Sequence, residues 1–217
     1  MTLYFISGLG ADKRIFQKLA IPEGYKVCYL DWLVPESSES LAAYSRRLAE
    51  LIDASEEFVL VGLSFGGMVA TEISQVLHPK DTIIISSAGC RSELPWYFRL
   101  ASNVRLDRII PIKLLKIHTP FTYWLFGARS GDSKQLLRLI IRETRPDFLK
   151  WAIKAILSWK RTIKPPGIYH IHGVDDHLLP AAHVKADLLV PGGGHLMVFD
   201  KAKKLSDLIG DRIKSNK

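Results

Sequence analysis

The chain has 217 residues, of which 47% are hydrophobic and 24% charged, and its formal net charge is +8. At about 150 residues per domain this length predicts one domain, or one domain with an insertion, and the composition argues against disorder. Two cysteines, Cys28 and Cys90, are too few for a disulfide framework. We expect free thiols in a reducing compartment, although one bridge between them is compatible with the sequence.

Targeting and membrane-spanning signals are not evident in the sequence. The N-terminal apolar run is much shorter than a signal-peptide core, and no stretch reaches the ~18 apolar residues of a membrane span. We therefore expect a cytoplasmic protein without a membrane span, and nothing in the sequence indicates an oligomeric state.

The first ninety residues alternate between short apolar runs and helical patterns. Strands are predicted at residues 3–6, 26–30, 58–61 and 81–87. An amphipathic helix follows Ser40 and includes Leu51 and Ile52, and a second helix is predicted over residues 67–77. Continuous apolar strands separated by helices are typical of a parallel sheet that is covered on both faces.

The alternation stops after Cys90 and resumes after the Lys164-Pro165-Pro166-Gly167 turn signal. Residues 91–164 are helical, aromatic and basic, with 16 Lys and Arg against 5 Asp and Glu, whereas the rest of the chain has 14 against 17. Two further strands are predicted at residues 168–172 and 186–190, and a final helix at 197–214. We predict an α/β core of about six strands, residues 1–90 and 165–217, with a helical cap inserted at residues 91–164.

A Gly-x-Ser-x-Gly string with Ser64 at its centre occupies residues 62–66. It begins where a buried strand ends and leads directly into a helix, so the tight turn would strain the serine backbone and expose its hydroxyl at the edge of the sheet. The free N–H groups of the helix N-terminus would favour negative charge at that point. The alternative interpretation is a serine that only caps a buried helix.

A serine nucleophile needs a base, and the base needs a group that orients it. His195 lies in a glycine-rich loop just past the last strand, at the sheet edge where Ser64 is expected. Asp175 and Asp176 follow the fifth strand and reach the same edge. The alternatives are an ordinary surface histidine and aspartates that serve only as turn formers.

These motifs resemble those of the α/β-hydrolase family over about two-thirds of the chain, with the predicted cap outside the match. The resemblance implies a Ser64–His195–acid triad, and the family pattern Gly-x-x-Asp-x-x-x-Pro, counted from Gly173 to Pro180, selects Asp176 over Asp175. It also implies an oxyanion hole formed by the backbone N–H groups of Leu9 and Phe65.

The chain departs from the family pattern in two respects. Many members have His-Gly where this chain has Ser7-Gly8, and that histidine normally braces the oxyanion loop. The chain also starts at what resembles the third of the usual eight strands, so we expect a shortened sheet.

Parts of the sequence also suggest two other kinds of site. His170 and His172 lie on one face of a predicted strand, and Asp and His residues follow closely, which suggests a metal site. The spacing differs by two residues from that of the metallo-β-lactamase signature. Packed or hydrogen-bonded strand histidines are therefore favoured.

The basic cap could attract nucleic acid, yet it contains no nucleic-acid-binding motif. Its aromatic runs, residues 94–98 and 121–126, instead suggest the underside of a lid, whose charge could attract an anionic substrate or membrane surface.

The sequence thus predicts a serine hydrolase that acts on a small carboxylic ester or related acyl substrate, apolar or anionic, without metal or cofactor. Serine at position 64 argues against epoxide hydrolases and haloalkane dehalogenases of this fold, which use aspartate there. The alternative is a triad-bearing receptor or signalling protein of the same fold that binds a small ligand without turnover.

Overall fold

The computed structural model describes residues 1–98 and 119–215. Its strands form a single all-parallel sheet in the order β2-β1-β3-β4-β5-β6. The strands are β1 (Thr2–Ile6), β2 (Lys26–Leu30), β3 (Phe58–Leu63), β4 (Asp81–Ile85), β5 (Ile168–Gly173) and β6 (Leu188–Val190). The predicted α/β fold with six strands is therefore confirmed.

Helices connect the strands and cover both faces of the sheet, which parallel crossovers require. They are α1 (Leu41–Ala49), α2 (Phe65–Leu77), α3 (Pro120–Leu125), α4 (Gly131–Glu143), α5 (Pro146–Leu157), α6 (Met197–Asp200) and α7 (Ala202–Ser215). Ser40, which is predicted to precede a helix, caps α1 through its hydroxyl oxygen, and Ser130 caps α4 in the same way. Among the helices in the described ranges, none has the length and apolar character needed to cross a bilayer.

The core has one layer on each face of the sheet. Alternate strand residues divide between them, with Tyr4 and Ile6 on one side and Leu3 and Phe5 on the other. Helices α1, α2 and α5 pack on the first face, and helices α4, α6 and α7 pack on the second. The carboxyl ends of the central strands are therefore held rigidly between two packed layers, and the loops that follow them meet at one edge.

Element boundaries differ from the prediction at several places; for example, α2 begins at Phe65 instead of Gly67, and β4 ends at Ile85 instead of Ser87. Helix α1 ends at Ala49, because the amides of Leu51 and Ile52 bond to carbonyls three residues back instead of four. The last strand is shorter than expected and begins at Leu188. The final helix is divided at Lys201 into α6 and α7, without a glycine or proline that could have indicated the break.

The predicted division into core and cap stays a prediction, and residues 99–118 of the cap segment lie outside the described residues. The rest of that segment contains α3, α4 and α5. The aromatic residues predicted to face inward differ in how far they are exposed to solvent. Trp96, Phe121 and Trp124 are 59%, 64% and 54% exposed, whereas Phe126 packs edge-to-face on the ring of His195, with the ring centroids 5.6 Å apart.

Candidate active site

Ser64 occupies the turn between β3 and α2, in a backbone conformation with φ 53° and ψ −120°. A residue with a side chain is strained there by about 1–3 kcal/mol. The neighbouring glycines permit the turn, since a Cβ on Gly66 would overlap the carbonyl oxygens of Ile6 and Ser7, and one on Gly62 would overlap Gly66. Two hydrogen bonds hold the strained residue, one from Ser64 N–H to Ile85 O (2.9 Å) and one from Ser87 Oγ–H to Ser64 O (2.6 Å).

His195 lies against the Ser64 hydroxyl. Its Nε2 is 2.8 Å from Ser64 Oγ, and its Nδ1 is 2.8 Å from Asp176 Oδ2. Because an ionised carboxylate only accepts hydrogen bonds, the Nδ1 proton points to Asp176, and Nε2 is left free to accept the proton of the serine. The imidazole is 2% exposed, whereas Ser64 is only half-buried and can be reached from outside.

Asp176 sits in the loop after β5 and is surrounded by hydrogen-bond donors. Its Oδ1 accepts from the N–H groups of Leu178 (3.0 Å) and Leu179 (2.8 Å), and its Oδ2 accepts from His195. Burial raises the pKa of the Asp176 carboxyl, but the charge and hydrogen bond of His195 and the N–H of Leu179 outweigh it, so that this pKa lies below its usual value. The carboxyl is therefore ionised at neutral pH although it is buried.

Asp175 points away from this group. It is partly exposed and forms an ion pair with Arg129 (Oδ2 to Nη2, 2.8 Å). Its backbone N–H donates to Gly193 O in the histidine loop, residues 191–196. A Cβ on Gly173 would overlap Gly193, so the acid loop, residues 174–180, and the histidine loop approach each other as closely as glycine allows. The backbone thus fixes the separation between Asp176 and His195.

The two predicted oxyanion donors belong to backbone segments that adjoin Ser64. Phe65 is the first residue of α2, so its N–H has no acceptor within the helix. Leu9 follows Gly8, and Gly8 lies beside the side chain of Ser64. Both residues belong to a turn that is closed by a hydrogen bond from Ala11 N–H to Gly8 O (2.9 Å). In such a turn the N–H of the second residue, here Leu9, takes no part in closing the ring.

Ser7 stands at the position of the usual bracing histidine and contacts the same loop. Its hydroxyl donates to Ala11 O (2.6 Å), and the indole N–H of Trp32 donates to the same oxygen (3.0 Å). Trp32 in turn packs on the ring of Phe65, with the ring centroids 5.4 Å apart. The loop that carries Leu9 is therefore held by two side-chain donors without a histidine.

A cavity of about 280 Å³ lies beside this loop. Its apolar wall includes Ala11, Trp32, Leu33 and Phe148, and its charged wall includes Asp12, Asp31, Glu143 and Arg145. The surface is thus part aromatic and part polar, with more carboxylates than guanidinium groups.

His170 and His172 contact each other, as the interpretation of hydrogen-bonded strand histidines expected. His170 Nε2 is 3.1 Å from His172 Nδ1, and both side chains are fully buried. In residues 1–98 and 119–215 no group of three or more His, Cys, Asp or Glu side chains could hold a metal ion. The contact of His172 with Leu179 in the acid loop has no signal in the sequence beyond the position of His172 two residues from His170 on one strand.

The sequence matches the model of the alpha/beta hydrolase family over residues 3–208. The chain belongs to the alpha/beta hydrolase family. A comparison with curated proteins finds no match.

Solved structures share this hydrolase fold at low sequence identity. An esterase from Thermogutta terrifontis is 15% identical with a TM-score of 0.72, and the alignment covers 100% of this chain and 90% of that one. A bromoperoxidase from Bacillus anthracis is 17% identical with a TM-score of 0.73, covering 98% and 91%. A lipase-esterase related protein from Clostridium acetobutylicum is 18% identical with a TM-score of 0.71, covering 97% and 93%. At such identities these structures establish the fold alone.

Proposed function

We propose that this protein is a serine hydrolase that cleaves a small carboxylic ester or related acyl substrate through an acyl-enzyme. The observation that carries the proposal is the hydrogen-bonded series from Ser64 through His195 to Asp176, with 2.8 Å at each of its two side-chain contacts. Such a series supplies a nucleophile, a base and an orienting carboxylate at one point. No metal or cofactor is required for this chemistry.

The first half-reaction forms the acyl-enzyme. Ser64 Oγ attacks the acyl carbonyl while His195 Nε2 takes its proton, and Asp176 stabilises the imidazolium that results. The N–H groups of Leu9 and Phe65 donate to the oxyanion of the tetrahedral intermediate. His195 then gives its proton to the leaving alcohol, and the intermediate collapses to the acyl-enzyme.

The second half-reaction repeats these steps with water. His195 accepts a proton from the water that attacks the acyl carbonyl, and it returns a proton to Ser64 Oγ as the acid leaves. The helix α2, whose N-terminus lies at the site, adds a favourable field for the developing negative charge in both half-reactions.

The cavity beside the oxyanion loop bears on the substrate class. Its volume is slightly below that of typical ligand pockets, and its lining includes Gly10 and Ala11 of this loop but neither Ser64 nor His195, so it would hold only a small part of a substrate. In its charged wall Asp12 and Glu143 both pair with Arg14, so most of that negative charge is compensated. The aromatic wall, with Trp32 and Phe148, favours a substrate with an apolar part.

The location proposed for this activity is the cytoplasm. Cys28 and Cys90 both carry free thiols, which is the state expected in a reducing compartment.

The proposal is tested with p-nitrophenyl esters of increasing acyl length, assayed on the wild type and on Ser64→Ala. We expect turnover that declines with long acyl chains and that falls by about 10³-fold or more in Ser64→Ala. Ser158→Ala, which removes an exposed hydroxyl beyond α5, is the matched control and should leave the rate unchanged. A Ser64→Ala rate within tenfold of wild type would contradict the proposal, and ligand binding without turnover in the wild type would favour a receptor.

A further inference from the structure

Two buried histidines adjoin the proposed active site but have no role in the mechanism above. His170 and His172 lie on the same face of β5, and both side chains are 0% exposed. His172 Nε2 is 2.7 Å from the carbonyl oxygen of Leu179 and 3.5 Å from Asp176 Oδ2. On its other side, His172 Nδ1 is 3.1 Å from His170 Nε2.

The partners of these nitrogens determine where the protons lie. A carbonyl oxygen only accepts, so His172 Nε2 carries a proton and donates it to Leu179. A neutral His172 then accepts at Nδ1, which makes His170 Nε2 the donor of the contact between the rings. His170 Nδ1, which finds no hydrogen-bond partner among the described residues, is left as the bare nitrogen.

This direction of donation makes Leu179 the point at which the histidine pair acts on the acid loop. The carbonyl of Leu179 accepts from His172, and the N–H of the same residue donates to Asp176 Oδ1. The Nε2 proton of His172 also approaches Asp176 Oδ2, the oxygen that accepts from His195. His172 therefore contacts the loop at Leu179, and it also approaches the carboxylate oxygen to which His195 donates.

We propose that His172 is a positioning residue for Asp176, and that His170 fixes His172 in the required tautomer. This proposal rests on the proposed hydrolase function. By holding Leu179, His172 keeps the N–H of that residue on Asp176 Oδ1, so the carboxylate cannot rotate away from the imidazole of His195. Its Nε2 proton also adds a favourable dipole beside the carboxylate.

A role limited to filling space does not account for this arrangement. Burying two imidazoles costs desolvation free energy that apolar side chains of similar size would avoid. The effect of this desolvation is visible in both histidines, since burial is the main cause that lowers their pKa. Three of their four ring nitrogens are used in a single series that ends at Leu179. The polar contacts are thus directed at the acid loop, which is the feature a positioning role requires.

The test compares His172→Phe, which keeps a ring but loses the donor, with His172→Gln, which keeps an N–H donor. The assay is steady-state hydrolysis of the best p-nitrophenyl ester. We expect kcat to fall by about 10- to 100-fold in His172→Phe with KM within about twofold of wild type, because small displacements of a catalytic group act on the transition state. His172→Gln should recover kcat to within about threefold. His183→Phe, on the short helical turn Ala181–His183 and outside the series, is the matched control and should behave as wild type.

A folded His172→Phe with wild-type kcat would overturn the proposal, and so would equal losses in the Phe and Gln variants. Should His172→Phe fail to fold, His172→Asn replaces it, since Asn is one methylene shorter than Gln and does not reach Leu179.

The wild type supplies an independent test through the ¹⁵N shifts of its histidine rings at pH 7. We expect neutral Nε2–H tautomers for both His170 and His172, and an Nδ1–H tautomer at His172 would overturn the proposal. Full activity in Ser64→Ala would instead refute the proposed serine mechanism with Ser64 as nucleophile, so the two failures are distinguishable.

Discussion

Asp175 and Asp176 are neighbours in the sequence with different surroundings. Asp176 is buried among N–H donors and contacts His195, whereas Asp175 lies at the surface beside Arg129. The spacing between Gly173 and Pro180 allowed Asp176 to be selected from the sequence alone, because this short loop repeats a family pattern. The donors around it could not be predicted, since Leu178 and Leu179 contribute only backbone atoms and have no recognisable side-chain signal.

The two carboxylates should therefore respond very differently to the same substitution. In Asp176→Asn the amide no longer fixes the tautomer of His195, and we expect kcat to fall by about 10³- to 10⁴-fold. Asp175→Asn is the matched control and should keep kcat within about threefold, because its ion pair is at the surface. Steady-state ester hydrolysis by both purified variants measures the difference, and the reverse order would assign the acid role to Asp175.

Ser7 offers a second test at this scale. Its hydroxyl and the indole of Trp32 hold the same carbonyl, that of Ala11, in the loop of the proposed oxyanion donor Leu9. Loss of either donor should lower kcat by about tenfold, since the loop would hold its N–H less accurately toward the oxyanion. Because the two donors share one acceptor, the effects of Ser7→Ala and Trp32→Phe should not be additive in the double variant. Additive losses would show that the two side chains act independently.

Helix α2 links the turn at Ser64 to the segment that follows α5. Its Glu72 is buried, and Glu72 Oε1 accepts from Trp159 Nε1 (2.8 Å) and Arg161 Nε (2.7 Å). The start of α2 was predictable from the Gly-x-Ser-x-Gly string, because a strand, a tight turn and a helix leave few arrangements. The attachment through Glu72 was not, because its partners lie almost ninety residues away in the sequence and only the fold brings them together.

Replacement of Glu72 should weaken this attachment. Glu72→Leu leaves the indole N–H of the buried Trp159 without an acceptor, and we expect the free energy of unfolding to fall by about 1–3 kcal/mol. Glu72→Gln retains a carbonyl for Trp159 and should lose less. Urea denaturation of both variants measures the change, and equal losses would show that the charge, not the contact with Trp159, stabilises the link.

At the scale of the whole molecule, the two buried histidines connect stability to pH. Burial lowers the pKa of both His170 and His172 below the usual value of 6.5, and at His172 the charge of Asp176 opposes this shift without cancelling it. As the pH falls below 6.5 the unfolded chain binds protons at both positions while the folded chain does not, so the free energy of unfolding decreases. Each histidine contributes at most about 1.4 kcal/mol per pH unit. Asp176, whose pKa is lowered, acts in the same direction only at more acidic pH, near and below 3.8.

We therefore expect the melting temperature to fall from pH 7 to pH 5, and to fall less steeply in His172→Gln, which removes one of the two groups. Thermal unfolding followed by circular dichroism over this range measures both slopes. His183→Gln, a substitution at a less buried histidine, serves as the control and should keep the wild-type slope. Parallel curves for the wild type and His172→Gln would show that the buried pair does not control acid stability.

The architecture of the sheet was the most predictable feature of the molecule. Apolar strands alternating with helices allow few arrangements, and the six-stranded parallel sheet agrees with that expectation. Side chains in the cap segment were harder to place, because aromatic residues such as Trp124 and Trp151 have similar sequence surroundings. The structure nevertheless leaves Trp124 exposed and packs Trp151 on Tyr44.

The central claim is that Ser64 is an activated nucleophile, and covalent labelling with a fluorophosphonate ester tests it most directly, because such reagents phosphonylate activated serines. Intact-mass analysis of the wild type should show one adduct per chain, and peptide mapping should place it on Ser64. Labelling should disappear in Ser64→Ala and slow by at least about 10³-fold in His195→Ala. An unlabelled wild type, or an adduct on any other serine, would contradict the account.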